Sequence, residues 1–205
     1  MTTFTKPAAP AHVLPGPAAS AAWRRRVARI GSEIQLAFAA LWLTRGALAT
    51  GWPGRLPIAI TLAAAAVALG IWGATATRGL APRSRGPAAR HLERSITIAT
   101  IVQLAASCAL PFIVSAAGRA DLTVTTIAVT IGILLLWLRA TLATPGHLIA
   151  GILLIAVPIA VAVVLTGNTL TAAAGLATAA ILVASAITGF RALASGAPGT
   201  PARAT

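Results

Sequence analysis

The sequence predicts an all-α, polytopic transmembrane helix bundle of six spans, with the N- and C-termini on the cytoplasmic side. Three observations predict it. Hydrophobic residues make up 58% of the 205-residue chain and charged residues only 9%, with a mean hydropathy of +0.88. A chain that must clothe itself in water carries about 25% charged residues. Long uncharged runs alternate with short basic clusters, and the runs are long enough for a helix to cross a ~30 Å hydrocarbon core, which takes about 20 residues.

In this reading residues 1–30 form a basic cytoplasmic tail. The stretch 1–22 is rich in Ala, Pro and Thr, with Pro7, Pro10, Pro15 and Pro17. It carries too little bulky apolar surface to offset the entropy of ordering, so disorder is expected there. Trp23-Arg24-Arg25-Arg26 has the shape of a twin-arginine export signal. Glu33 and Gln35 break the stretch behind it and further spans follow, so the arginines read as an inside anchor. The first span, about 31–52, is the least apolar because it holds Glu33, Gln35 and Arg45, and a helix lying in the interface is its rival. Charge placement decides between them. With six spans, Lys6, Arg24, Arg25, Arg26, Arg29, Arg78, Arg83, Arg85, Arg90, Arg94, Arg139, Arg191 and Arg203 lie inside, against Arg45, Arg55 and Arg119 outside. Without the first span, either the N-terminal arginines or the 78–94 cluster lies outside, against the positive-inside rule.

The remaining spans follow from the gaps between charges. Residues 57–77 and 95–117 each give one span, and 122–140 is short but sufficient. The uncharged run 140–190 has His147 as its one titratable residue and is too long for a single crossing. Gly167-Asn168, which tolerate a tight reversal, divide it into spans 147–166 and 169–191. Pro145-Gly146 ends the helix before, leaving His147 solvated in a cytoplasmic loop. Residues 31–194 are then one six-helix domain and 195–205 a second cytoplasmic tail. The expected location is the bacterial cytoplasmic (inner) membrane, multi-pass.

The chain is not expected to be an enzyme. An intramembrane serine protease needs a Gly-x-Ser-Gly serine and a histidine on a later span, and neither occurs. A membrane metalloprotease needs His-Glu-x-x-His; His12, His91 and His147 are far apart with no adjacent glutamate. With only Glu33, Glu93 and Asp121 acidic, most carboxylate chemistry is excluded, and the lone Cys108 excludes a disulfide framework or Cys-rich metal site within one chain. No catalytic residue, metal ligand or cofactor is therefore assigned. The net charge of +13 does not imply nucleic acid, because the basic residues are parcelled between apolar runs rather than gathered on a solvated face.

Ionisable residues inside spans are functional candidates by default, because a charge in hydrocarbon costs several kcal/mol. Glu33 lies four residues after Arg29, so it either pairs with that arginine at the interface or handles a proton or cation. Arg45 lies deep in the first span but close enough to the outer face to snorkel. Asp121, the sole acidic residue expected on that side, or span-end carbonyls are its expected partners at the outer mouth. Gln103 is mid-span and needs an interhelical partner or a ligand. Pro111 and Pro158 fall inside the third and fifth spans and remove backbone hydrogen bonds, so kinks are expected there. The arginines Arg78, Arg83, Arg85, Arg90 and Arg94 suit anionic lipid head groups.

Small residues recur at helical spacing: Ala66, Gly70 and Ala74 on the second span, Gly175 and Ala179, then Ser185 and Gly189, on the sixth. Such stripes let helix backbones approach closely, either within the chain or against a second copy. The end of the first span also matches the end of the fourth. Leu41-Trp42-Leu43 with Arg45 aligns with Leu136-Trp137-Leu138 with Arg139, and Pro53-Gly54 with Pro145-Gly146. A three-span repeat of this kind has inverted membrane orientation.

Trp42 and Gly46 at the close of the first span, and Gly132, Pro145 and Gly151 around the fourth, carry a family likeness. In these the chain resembles small uncharacterised bacterial six-span integral membrane proteins. The resemblance implies fold and location but no activity. The family's histidine and aromatic fall on Leu134 and Leu135, so whatever that histidine does is missing here.

Two functions remain. The scarcity of buried polar groups favours a non-catalytic assembly, regulatory or partner-binding protein of the lipid bilayer, working with a second copy or another membrane protein. The repeat, the prolines, Glu33 and Arg45 favour instead a small secondary transporter or permease for a weakly charged or apolar solute.

Overall fold

The computed structural model describes residues 17–76, 87–142 and 145–194. Within them the chain is all-helical: α1 (Pro17–Ala49), α2 (Arg55–Ala76), α3 (Pro87–Ala116), a 3₁₀ turn (Ala120–Leu122), α4 (Thr123–Leu142), α5 (Pro145–Val164) and α6 (Gly167–Ala194). Five stretches are long and apolar enough to cross a membrane: Arg55–Ala76, Ile96–Ala116, Ala120–Leu138, Gly146–Val164 and Gly167–Ala194. The chain is thus a helical membrane protein. The tail segments 1–16 and 195–205, and residues 77–86 of the basic loop, lie outside the described residues.

Two helices begin earlier than expected. α1 starts at Pro17, inside the stretch read as a disordered tail, and α3 starts at Pro87, inside the basic loop. Proline suits a first helical turn because it lacks the N–H that would be unpaired there anyway. The alanines and arginines that follow are strong helix formers. Counting uncharged residues measures only the part that can sit in hydrocarbon, and these helices run on past their charges.

α1 lies antiparallel against α6, its most extensive contact, and glycine sets the distance. A Cβ on Gly46 would meet Leu176 N at 2.9 Å and Ala172 O at 3.2 Å, and one on Gly175 would meet Gly46 Cα at 3.0 Å. At the other end of the same crossing Gly189 faces Ser32. α2 rests on the outside of α1, burying Ala59, Ala66 and Gly73, with Gly70 against Leu36 and Gly73 against Phe190 of α6. The small-residue stripes therefore pack within the chain.

The second close crossing joins α4 to α5, where Cβ atoms on Gly132 and Gly151 would each meet the other's carbonyl oxygen, at 2.8 and 2.9 Å. α6 lies between the two pairs. The main core, built from Ala39, Trp42, Val124, Ile127, Leu154 and Leu182 among others, spans α1, α4, α5 and α6.

α3 is attached differently, seated on α4 and the 3₁₀ turn alone among the stronger helix contacts. It closes with Gly118 at φ +71, where Arg119 N–H reaches Val114 O at 2.8 Å and Gly118 N–H reaches Ser115 O at 3.0 Å. That pair of bonds caps the carbonyls a helix end leaves open.

Candidate functional site

The residues singled out by sequence fall in separate places. Arg29 Nε donates to Glu33 Oε1 at 2.9 Å, so Glu33 is held by the i,i+4 pair. Arg45 lies on the exposed face of α1, in line with Ile34, Leu41 and Leu48. Asp121 is not its partner. That carboxylate takes Arg119 Nε at 3.1 Å on Oδ1 and the Gly167 N–H at 3.3 Å on Oδ2, tying the 3₁₀ turn to the start of α6. The expectation failed because the rotation of α1 about its axis is set by packing on α6, which turns Arg45 away from the bundle. Arg45 stands four residues from the end of α1, about 6 Å of rise, within snorkelling reach of water. Arg45→Leu is accordingly expected to leave stability within about 0.5 kcal/mol of wild type, as will Arg55→Leu; thermal unfolding in mild detergent checks both.

Pro111 is half-buried in α3 and Pro158 is fully buried in α5, and both helices run through their prolines without a break. His147 is not in a solvated loop: Pro145 opens α5 and places His147, half-buried, in its first turn.

Gln103 is the residue with an interhelical role. Only 7% exposed, it donates from Nε2 to Thr130 Oγ1 on α4 at 3.0 Å and to Ser107 Oγ one turn on at 3.3 Å. Thr130 passes the bond on, donating to Ile127 O at 2.8 Å. Gln103→Leu is expected to loosen the seat of α3 by about 1 kcal/mol, read as faster amide exchange along α3 with α5 and α6 unchanged.

Beside this relay, between α3 and α4, is an open-sided groove of about 520 Å³. Ile98, Val102 and Ala106 form one wall and Ile133, Leu134 and Trp137 the other, with Gln103 and Thr130 between them. The groove therefore contains Gln103 but neither Arg45 nor either proline. Sequence reasoning missed Thr130 as the interhelical partner of Gln103 and Trp137 as part of the wall beside it. The available signal was the hydroxyl-rich start of the fourth span, Thr123, Thr125, Thr126 and Thr130.

A second polar feature lies in the core. Trp42 Nε1, Thr125 Oγ1 and Thr178 Oγ1 are buried with no hydrogen-bond partner among the described residues. Several other helix hydroxyls bond back to a carbonyl on their own turn, as Thr44 does to Ala40 O and Thr188 to Ser185 O. Among the described residues no group of His, Cys, Asp and Glu is arranged to hold a metal ion.

Fold and side chains together define a multi-helix membrane protein in which one buried amide, Gln103, joins two helices. No family model matches the chain, and neither does any curated protein or solved structure.

Proposed function

We propose that this chain is a non-catalytic integral membrane protein of the bacterial cytoplasmic membrane that works by docking another membrane helix. In this reading it has six spans and both termini in the cytoplasm. The antiparallel course of α1 along α6, from the Ser32–Gly189 contact to the Gly46–Gly175 contact, supports the sixth span, because a helix matched to a spanning neighbour over that length crosses with it. The resemblance to small six-span bacterial proteins is compatible with this, since Trp42, Gly46, Gly132 and Gly151 all sit at helix crossings or in the core. The 3+3 inverted repeat is supported by the paired α1–α2 and α4–α5 hairpins. It holds less well for side chains, since Trp42 is 2% exposed and Trp137 is 46% exposed.

One observation carries the docking role. α3 turns a continuous apolar face away from α4, with Ile101, Leu104, Cys108 and Phe112 all exposed and Phe112 78% so. These positions recur at three- and four-residue spacing and form one stripe on the helix. The experiment uses the native cysteine: a thiol-reactive benzophenone placed on Cys108 in native membranes. A discrete protein adduct, whose mass identifies a second copy or another chain, is expected, and it should vanish in Cys108→Ala. Labelled lipid with no protein adduct would refute docking at this face.

A permease for an apolar or weakly charged solute is the second reading, favoured by the groove beside Gln103. Saturable solute uptake by the purified protein alone in liposomes, lost in Gln103→Leu, would favour it over docking.

A further inference from the structure

The groove between α3 and α4 has walls and a length that fit one class of ligand. We infer that it seats one acyl chain of an anionic phospholipid of the cytoplasmic leaflet, with Arg94 at the phosphate. This inference is independent of the docking face, which lies on the other side of α3.

The walls are hydrocarbon-like: Ile98, Val102, Ala106, Ile133 and Leu134 supply aliphatic surface, and the groove is open along its side. From Ile98 to Ala106 the α3 wall rises about 12 Å at ~1.5 Å per residue. One leaflet's share of a ~30 Å hydrocarbon core is ~15 Å, so the groove matches a single chain running from the head-group layer toward the midplane. A membrane-crossing partner helix would instead need a groove continuing along the whole of α3, and the lining stops at Ala106.

The charge lies at the matching end. Arg94 is exposed and sits one turn before Ile98 on the same side of α3, just beyond the mouth of the groove. The segment 78–94 that leads into it carries Arg78, Arg83, Arg85, Arg90 and Arg94 against the single carboxylate of Glu93. Such a cationic cluster next to a span attracts anionic lipid. A guanidinium forks onto phosphate oxygens through two parallel N–H bonds. Trp137 lines the same end of the groove, at the depth where tryptophan rings settle near head groups. An arginine, an interfacial indole and a leaflet-long apolar slot lie in that order along α3 and α4.

Trp137 also reports on the site. The full-length protein is reconstituted in phosphatidylcholine vesicles containing equal fractions of either brominated-chain phosphatidylglycerol or brominated-chain phosphatidylcholine. The Trp137 component is the difference between wild type and Trp137→Phe. It is expected to be quenched at least about twofold more by the anionic lipid, with the excess kept in Arg94→Lys, lost in Arg94→Gln and lost in the groove-filling Ala106→Leu. Arg94 is exposed, so its variants leave the bundle folded. Equal quenching by the two lipids would overturn the inference, and so would an excess that survives Arg94→Gln. An excess lost in Arg94→Gln but unaffected by Ala106→Leu would overturn the seat as well, since it marks head-group attraction with no chain in the groove.

Discussion

The same substitution, glycine to alanine, is expected to change stability in opposite directions at different positions of this bundle. At Gly46 and Gly151 it should destabilise the fold by about 1–3 kcal/mol, the range seen when a methyl is forced into a filled core. A Cβ at Gly46 would stand 2.9 Å from Leu176 N, and one at Gly151 2.9 Å from Gly132 O. Backbone atoms cannot step aside as a side-chain tip can, so α1 must lift from α6, or α4 from α5. Gly31 has nothing within 4 Å of its would-be Cβ. There alanine brings only its better helix propensity, a gain of about 0.5–1 kcal/mol. Thermal unfolding in mild detergent measures all three. Equal small effects would mean that the two crossings are not as close as described.

Trp42 gives the second large effect. It is 2% exposed and belongs to the main core with Ala39, Ala174 and Ala179. Truncation of a buried aromatic to alanine costs about 3–5 kcal/mol in water-soluble cores. Between membrane helices packing carries most of the association, because lipid is as apolar as the interior, so a loss of at least ~2 kcal/mol is expected for Trp42→Ala. Trp42→Phe should be much milder. It removes an N–H that has no partner among the described residues, and therefore sacrifices no hydrogen bond while keeping most of the ring. A Phe variant as damaging as the Ala variant would indicate that Nε1 is bonded after all, for instance to an internal water shared with the Thr178 hydroxyl.

Much of this architecture could be read from the chain alone, for identifiable reasons. The five strongly apolar helices follow from the distance between charges, because hydrocarbon tolerates so few of them. The Arg29–Glu33 pair follows from helix periodicity. What crosses from one helix to another was less accessible. That Gln103 needs a partner is evident from its depth, but that the partner is Thr130 depends on the register of α3 against α4, which no local pattern encodes. The smooth stripe at Gly175 and Ala179 was visible, while its partner Gly46 was visible only through a family likeness. Arg45 was misplaced for the same reason: its height along α1 could be counted, but its direction depends on which face α6 claims. The early helix starts at Pro17 and Pro87 were hidden because composition that looks disordered, alanine and arginine after proline, is also composition that forms helix readily.

We propose that α1 crosses the membrane beside α6 although its polar residues keep it less apolar than the other five. Reporters of sidedness fused within the full-length chain test it most directly. Fusions after Gly54, Gly118 and Gly167 are expected to report the outside, and fusions after Arg85, Pro145 and Gly196 the cytoplasm, with the N-terminus also cytoplasmic. An N-terminus and a Gly54 fusion on the same side of the membrane, or an exported Arg85 fusion, would contradict it.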